Sequence, residues 1–327
     1  MPTEAWIEAC AHPNIALVKY WGKLDLEKNI PAVPSLSITL GGLRTRTRVR
    51  RSSDGLDHFR FQGERHPGME KRVVACLNSL RRETGFTEAL DVESSNDFPT
   101  AAGLASSASG FAALVLAAST LMGGNLAREE LAELTRRASG SAARSLYGGF
   151  VELSLHPEQE PPTSTRQILG PSEWPLEILI AVTDNSPKAV SSTEGMERSR
   201  INSPFYEAWV ESAADDLQRA HQAVLDRDFS ALAEISEHSC LKMHGLMFST
   251  RPGLIYFKAA TLECLHQIRK LRSEGCPVFF TVDAGPQVKA ICLPEAVNTV
   301  RTALMEIPGV LDLLQSSLGD GAHLTRA

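Results

Sequence analysis

Asn96-Asp-Phe-Pro-Thr-Ala-Ala-Gly-Leu-Ala-Ser-Ser-Ala-Ser-Gly110 is the stretch on which the fold turns, because a loop of small residues runs directly into Phe111-Ala-Ala-Leu-Val-Leu-Ala-Ala118. Small side chains let backbone amides approach an anion, and the free N–H groups and positive dipole end of a following helix favour phosphate there. Leu104 to Met122 reads as a largely buried helix, since Phe111, Leu114, Val115, Leu116 and Leu121 surround it among Ala, Ser and Gly. The hydroxyls of Ser106 and Ser107 can add contacts to phosphate or magnesium. The stretch lacks the Gly-x-x-x-x-Gly-Lys-Ser/Thr spacing of a Walker loop, and a Gly/Ser turn before a helix is more often a plain cap than a nucleotide site. It needs companions.

On either side of this loop the pattern changes character. Asn14 to Lys19, Leu36 to Leu40 and Arg44 to Arg51 read as strands, the last alternating basic residues with Thr and Val. Lys71 to Arg82 places Val73, Val74, Leu77 and Leu80 at helical spacing, with Arg72, Arg81 and Arg82 as a basic flank. Further helices are expected at Ala127 to Arg137, Phe205 to Leu225, Ala231 to Leu246 and Leu254 to Ser273. Two strands, Val278 to Asp283 and Val288 to Cys292, join through Ala284-Gly-Pro286. No internal repeat or low-complexity tract interrupts the chain. A soft boundary near Ala181 to Pro187 divides it into lobes 1–183 and 184–327.

Composition restricts the functions that remain. The 327 residues are 43% hydrophobic, enough for a large core, and above the length at which single cores usually divide. Lys plus Arg number 33 against 39 Asp plus Glu, for a net charge of -6, so no global positive field draws nucleic acid or acidic lipid. An anionic substrate would need local cations. The six cysteines form no Cys-x-x-Cys pair and read as free thiols of a reducing cytoplasm. Met1-Pro-Thr-Glu-Ala-Trp-Ile-Glu8 carries acids where a signal peptide needs a basic start, so the mature chain is expected to begin near Met1. The longest apolar run falls far short of the roughly 20 residues a membrane span needs. His238 and His244, the closest histidine pair, miss the i, i+4 spacing of a helical metal site.

Four further segments are the companions: His12-Pro-Asn-Ile-Ala-Leu-Val-Lys-Tyr-Trp-Gly-Lys23, Ser139-Gly-Ser-Ala-Ala-Arg-Ser-Leu-Tyr-Gly-Gly149, Lys188-Ala-Val-Ser-Ser-Thr-Glu-Gly-Met196 and Thr281-Val-Asp-Ala-Gly-Pro286. With the 96–110 loop, in this order, they resemble the signatures of the mevalonate diphosphate decarboxylases, within the GHMP kinase superfamily. The resemblance implies an α+β, two-lobed GHMP kinase fold with the active site in the cleft between lobes. It also implies ATP and Mg2+ as cofactors, a homodimer and a cytoplasmic enzyme.

Each motif also has a bland explanation. Two lysines around a glycine are ordinarily a solvated face; the resemblance places Tyr20 and Lys23 on the substrate diphosphate and Lys19 near the reacting centre. Arg72 is a further cation for the diphosphate or, equally, a solvent-facing helix Arg. Ser139, Ser141 and Arg144 form a tight turn with a surface Arg, or, by resemblance, bind the diphosphate and orient the substrate carboxylate, for which a planar guanidinium suits two parallel contacts. Ser191 and Ser192 cap a helix with Glu194, and by resemblance Ser192 also touches the phosphate end. A strand-end Asp such as Asp283 is usually a turn residue. Its strand puts Val278, Phe280 and Val282 on the other face, and the resemblance makes it the base for a tertiary hydroxyl, giving Asp283, Arg144 and Lys19 as the catalytic set. Asn96, Gly103, Leu104, Ala105, Ser106 and Ser107 would hold the nucleotide, with Ser106 on the metal. Departures are Val33-Pro34 before Ser35, where relatives commonly carry polar residues, Ala143 in place of a frequent Cys, and Asn202-Ser203 for a common Thr-Ser. The expected reaction converts mevalonate 5-diphosphate, with ATP, to isopentenyl diphosphate, ADP, phosphate and CO2. Decarboxylation of the monophosphate, a kinase that stops at C3, or a non-catalytic nucleotide-binding protein are the alternatives.

Overall fold

A computed structural model describes residues 5–98, 106–186 and 188–325, the side chain of Ser106 excepted. The first part of the chain gives β1 (Ile7–Ala11), β2 (Asn14–Val18), β3 (Lys23–Asp25), β4 (Ile30–Pro31), β5 (Ser35–Thr39), β6 (Thr45–Arg51), β7 (His58–Phe61), β8 (Glu64–Arg65) and β9 (Leu90–Asn96), with α1 (Pro67–Thr84) between the last two. Then come α2 (Ser106–Leu121), α3 (Arg128–Ala138), a 3-10 turn (Ala142–Leu146), β10 (Phe150–Leu155), β11 (Thr163–Leu169) and β12 (Glu177–Val182). Helices α4 (Ser192–Asn202), α5 (Tyr206–Glu211), α6 (Ala213–Leu225), α7 (Phe229–Phe248) and α8 (Ala259–Ser273) follow. β13 (Val278–Val282), β14 (Val288–Cys292), α9 (Val297–Met305), β15 (Asp312–Ser317) and β16 (His323–Leu324) complete the chain, an α+β fold.

Three main sheets organise these elements, in the orders β16-β1-β6-β9-β7-β8, β11-β10-β5-β2 and β13-β14-β12-β15, beside a β3-β4 ribbon. Helix α2 packs Ala108, Phe111, Ala112, Leu114 and Val115 into a core with α1, α3 and the first sheet. The expected division at 183 leaves β12 with the N-terminal lobe, whereas its backbone pairs with β14 and β15 of the C-terminal sheet. The chain end returns to the first sheet, where β16 pairs with β1.

Alternation along β13 divides its side chains between two cores. Val278, Phe280 and Val282 join a cluster with Leu265 and Ile268 of α8 and Val300 of α9. Phe279 faces the opposite way, into the cluster that holds Ile15 and Leu17 of β2 and Val224 of α6. With side chains alternating every residue, Thr281 and Asp283 share the Phe279 face, which looks toward the first half of the chain. A hydrogen bond from Thr281 Oγ1 to the Ala16 carbonyl (3.2 Å) ties this face to β2.

Two helices depart most from their expected bounds. The 205–225 segment splits at Ser212, whose hydroxyl donates to the Ala208 carbonyl at 2.7 Å and competes with the helix ladder. Residues 254–258 stay out of α8: Leu254 is buried against Met247 and Met243, and Tyr256 Oη donates to the Val190 carbonyl.

Candidate active site

The end of β2, the Tyr20–Lys23 strap, the turn after α3, the start of α4 and the β13–β14 turn enclose one cleft of about 1010 Å3. Lys19, Tyr20, Lys23, Arg72, Ser107, Ser139, Ser141, Arg144, Ser192 and Asp283, all named from the sequence, line it.

Asp283 follows β13 directly and is the cleft's one carboxylate among the described lining residues. Its Oδ1 accepts from Lys19 Nζ at 2.6 Å and its Oδ2 lies 3.2 Å from Lys289 Nζ. Both ammonium groups are buried, at 1% and 2% exposure, while the carboxylate is 32% exposed toward the cleft. Burial pushes the Asp283 carboxyl up, but the charges and hydrogen bonds of Lys19 and Lys289 outweigh it and hold the pKa far below the usual carboxylate range. Asp283 is therefore an anion throughout the physiological range, held by two cations and open on one side.

Arg144 sits on the 3-10 turn, 2% exposed. Its Nε and Nη2 donate to Asn14 Oδ1 (3.3 and 3.2 Å) and its Nη1 to Ser35 Oγ (2.5 Å). Asn14 is fixed in turn by donating to the Ser141 carbonyl and Ser145 Oγ. Of the five guanidinium N–H groups, these bonds use three and leave two. Burial pushes the Arg144 pKa down to about 10, opposed by Tyr20 and Asp283, so the group stays cationic at neutral pH. Val33 leaves no polar contact on the cleft: it is fully buried beside Trp21 and Met196, and Ser35 supplies the hydroxyl that reaches Arg144.

Tyr20, Lys23, Arg72, Ser139, Ser141 and Ser192 gather along the cleft. Lys23 Nζ donates to Asn29 Oδ1 at 2.6 Å, and burial followed by the nearby Arg72 charge lowers its pKa. Arg72 lies over the Phe111 ring at 4.9 Å and reaches the Ala138 carbonyl. The Tyr20 hydroxyl is buried without a hydrogen-bond partner among the described residues, and burial raises its pKa to about 12. A Cβ at Gly140 would lie 2.2 Å from that oxygen, so the glycine is what lets the phenol close on the Ser139–Ser141 turn. Ser191 takes the cap of α4, accepting from Glu194 N–H, and Ser192 opens the helix on the cleft.

The nucleotide side is described in part. Gly103, Leu104 and Ala105 lie outside the described residues, as does the Ser106 side chain. Ser107, in the first turn of α2, lines the cleft. Asn96, at the end of β9, accepts from Thr45 Oγ1 at 2.7 Å, and its buried amide Nδ2 has no partner among the described residues. Hydroxyls, amides and a helix N-terminus suit the phosphates of a nucleotide and a hard cation that reaches the protein through them.

Several contributors were assigned no role from the sequence. Lys289 is hidden inside Val288-Lys-Ala-Ile-Cys292, where a lone Lys in an apolar strand is the signal. Asn14 and Ser35 lie within or beside quoted motifs and hold Arg144. Lys188 lines the cleft, and a methyl at Gly285 would sit 3.5 Å from its Cε.

Comparison with known proteins agrees with this architecture. Residues 11–162 match the model of the diphosphomevalonate decarboxylase-like N-terminal domain, and residues 178–317 that of the mevalonate 5-diphosphate decarboxylase C-terminal domain. Human diphosphomevalonate decarboxylase is 33% identical over 88% of this chain and 77% of its own. A solved structure described as MDDEF in complex with MVAPP, AMPPCP and magnesium superposes with a TM-score of 0.90 at 36% identity, over 98% of this chain and 99% of the other. The mevalonate diphosphate decarboxylase from Enterococcus faecalis, solved to describe a mevalonate diphosphate mediated ATP binding mechanism, gives 0.89 at 35%, over the same shares. This chain therefore belongs to the diphosphomevalonate decarboxylase family, and its α+β fold is the GHMP-type fold of those structures.

Proposed function

We propose that the chain converts mevalonate 5-diphosphate and ATP to isopentenyl diphosphate, ADP, phosphate and CO2, supplying the five-carbon unit of isoprenoids. The observation that carries this is an ionised Asp283 between Lys19 and Lys289, facing a cleft whose other wall is a buried Arg144.

Asp283 receives the hydrogen bond of the C3 hydroxyl and orients it toward the γ-phosphoryl of ATP. A carboxylate held so far down is a weak base, which suits a loose transition state in which the hydroxyl proton leaves late. When bound, magnesium neutralises charge on the nucleotide phosphates; Ser106 is the side chain assigned to it, and the start of α2, with Asn96 and the 103–107 loop, is assigned to the phosphates. Phosphate on C3 is then a leaving group where hydroxide was not. The C1–C2 bond breaks, its electrons form the C2=C3 double bond, and the C3–O bond breaks as phosphate departs. Arg144 orients the C1 carboxylate with its two remaining N–H groups; a tighter grip would oppose the loss of CO2. Tyr20, Lys23, Arg72, Ser139, Ser141 and Ser192 hold the diphosphate tail, and Lys19 keeps Asp283 in place.

Within this proposal the lobes divide near residue 183 with β12 crossing into the C-terminal sheet, the enzyme is a cytoplasmic homodimer, and its partner molecules are small: no nucleic acid and no membrane. Among the described residues no helix is long and apolar enough to cross a membrane. A decarboxylase of the monophosphate, or a kinase stopping at C3, is disfavoured by the cations and hydroxyls around Lys23 and by the pairing of Asp283 with Arg144 in one cleft. A coupled assay recording ADP and CO2 separately, with mevalonate 5-diphosphate and its monophosphate, tests this. Higher kcat/KM on the diphosphate with equal ADP and CO2 is expected; equal or better turnover of the monophosphate, or ADP without CO2, overturns it.

A further inference from the structure

We propose that Lys289 is a positioning residue of the reaction: it holds the Asp283 oxygen that Lys19 leaves, fixing the carboxylate in one orientation with one open side for the substrate hydroxyl. This rests on the assignment of Asp283 as the hydroxyl acceptor.

Lys289 lies in the middle of β14, opposite Thr281 of β13 and Ile180 of β12. Paired residues share a face of the sheet, so Lys289 projects on the Thr281–Asp283 side. It is 1% exposed and flanked by fully buried Val288, Ala290 and Ile291. An ammonium there is costly unless paired, and a strand that needed only packing would be better served by an apolar residue. Its ion-pair partner is Asp283 Oδ2 at 3.2 Å. Lys19, 1% exposed at the end of β2, already supplies one positive charge to that carboxylate. The second therefore adds direction rather than neutrality: with one oxygen on each ammonium, rotation of the carboxylate breaks a buried contact. The other groups around Asp283 cannot substitute. Lys188 approaches from the loop before α4 and Arg144 from the 3-10 turn, both on the cleft side. On α7, His244 is pushed down to about 3 by burial and the Lys19 charge and is neutral, and Cys240 bonds the Val282 backbone.

Lys289→Met removes a cation from Asp283 and raises its pKa, so the acid limb of kcat moves up by about one pH unit or more. A kcat roughly 10- to 100-fold lower, with KM for both substrates within about threefold, is expected of an orienting group acting on the chemical step. Lys289→Arg, which keeps a cation, restores most of kcat and the acid limb. In an Asp283→Asn background, Lys289→Met changes kcat by less than about threefold, because a group that acts only through Asp283 is non-additive with it. Should Lys289→Met not fold, Lys289→Gln takes its place in each measurement. Carboxyl 13C NMR of Asp283 in wild type and variant reads the same upward pKa shift without turnover, so failure of the substrate assignment is distinguishable from failure of this proposal. Wild-type kcat with an unmoved acid limb and carboxyl titration, or an equal loss of kcat in the Asp283→Asn background, overturns it.

Discussion

Three side chains in the cleft carry separate tests of function. Asp283→Asn keeps nearly the same shape and some polar contact, but it cannot accept the hydroxyl proton. Loss of general-base assistance is typically about 100- to 10,000-fold, or roughly 3 to 5.5 kcal/mol of barrier. ADP formation should fall by that factor while both substrates still bind in a calorimeter; retention of more than about a tenth of kcat returns Asp283 to a turn residue. Arg144→Gln should instead leave some ADP release without CO2, since it orients the carboxylate that departs second. The Tyr20 hydroxyl makes the reverse case. Buried without a partner among the described residues, it costs the free protein the desolvation of a polar group, roughly 1 to 3 kcal/mol. Tyr20→Phe should raise the melting temperature of the free protein and raise KM for mevalonate 5-diphosphate together. A lowered melting temperature with unchanged KM would mean the hydroxyl has a structural partner.

The first turn of α2 separates helix energetics from nucleotide binding in the same way. An anion at a helix N-terminus stabilises it by roughly 0.3 to 1 kcal/mol, yet repels phosphates. Ser107→Asp should therefore leave Tm unchanged or slightly raised while increasing KM for ATP by at least about tenfold, a lower bound because one like-charge contact at about 4 Å and effective dielectric 20 costs roughly 4 kcal/mol before salt screens it; an unchanged KM would move the nucleotide away from α2. This helix was legible because its apolar residues occupy every side and its loop is made of small ones. The Asp283 direction was legible from two-residue alternation, which put Val278, Phe280 and Val282 in the opposite core. Lys289 was not, because alternation along β14 gives its face but not what lies across the sheet from it, and a strand lysine ordinarily reaches solvent. The split at Ser212 and the late start of α8 escaped for another reason: a hydroxyl bond to Ala208 and the packing of Leu254 decide them, and neither shows in helical periodicity. Ser35 escaped because its function is to hold Arg144, 109 positions away.

The molecule as a whole carries net charge -6 and still presents Lys19, Lys23, Arg72, Arg144 and Lys188 around one cleft with Asp283 as the lone acid among its described lining residues. Attraction of an anionic substrate must therefore come from a local field opposed by the rest of the surface. The cations are not alike in their exposure to salt. Lys19, Lys23 and Arg144 are buried and engaged in fixed bonds, so ions in solution screen them little, whereas Arg72 and Lys188 are exposed on the open cleft where the tail is assigned. The Debye length falls from about 10 Å at 0.1 M to about 3 Å at 1 M. Raising salt across that range should therefore weaken substrate capture and leave the chemical step, which depends on the buried pair of Asp283 with Lys19 and Lys289, nearly untouched. KM for mevalonate 5-diphosphate should climb several-fold and kcat should stay within about twofold, because the exposed contacts are screened and the buried ones are not. The monophosphate, with less charge on its tail, should show a shallower rise. Equal slopes for the two substrates would mean that the open-cleft cations do not read the tail, and a kcat falling in step with 1/KM would mean that salt reaches Asp283 itself.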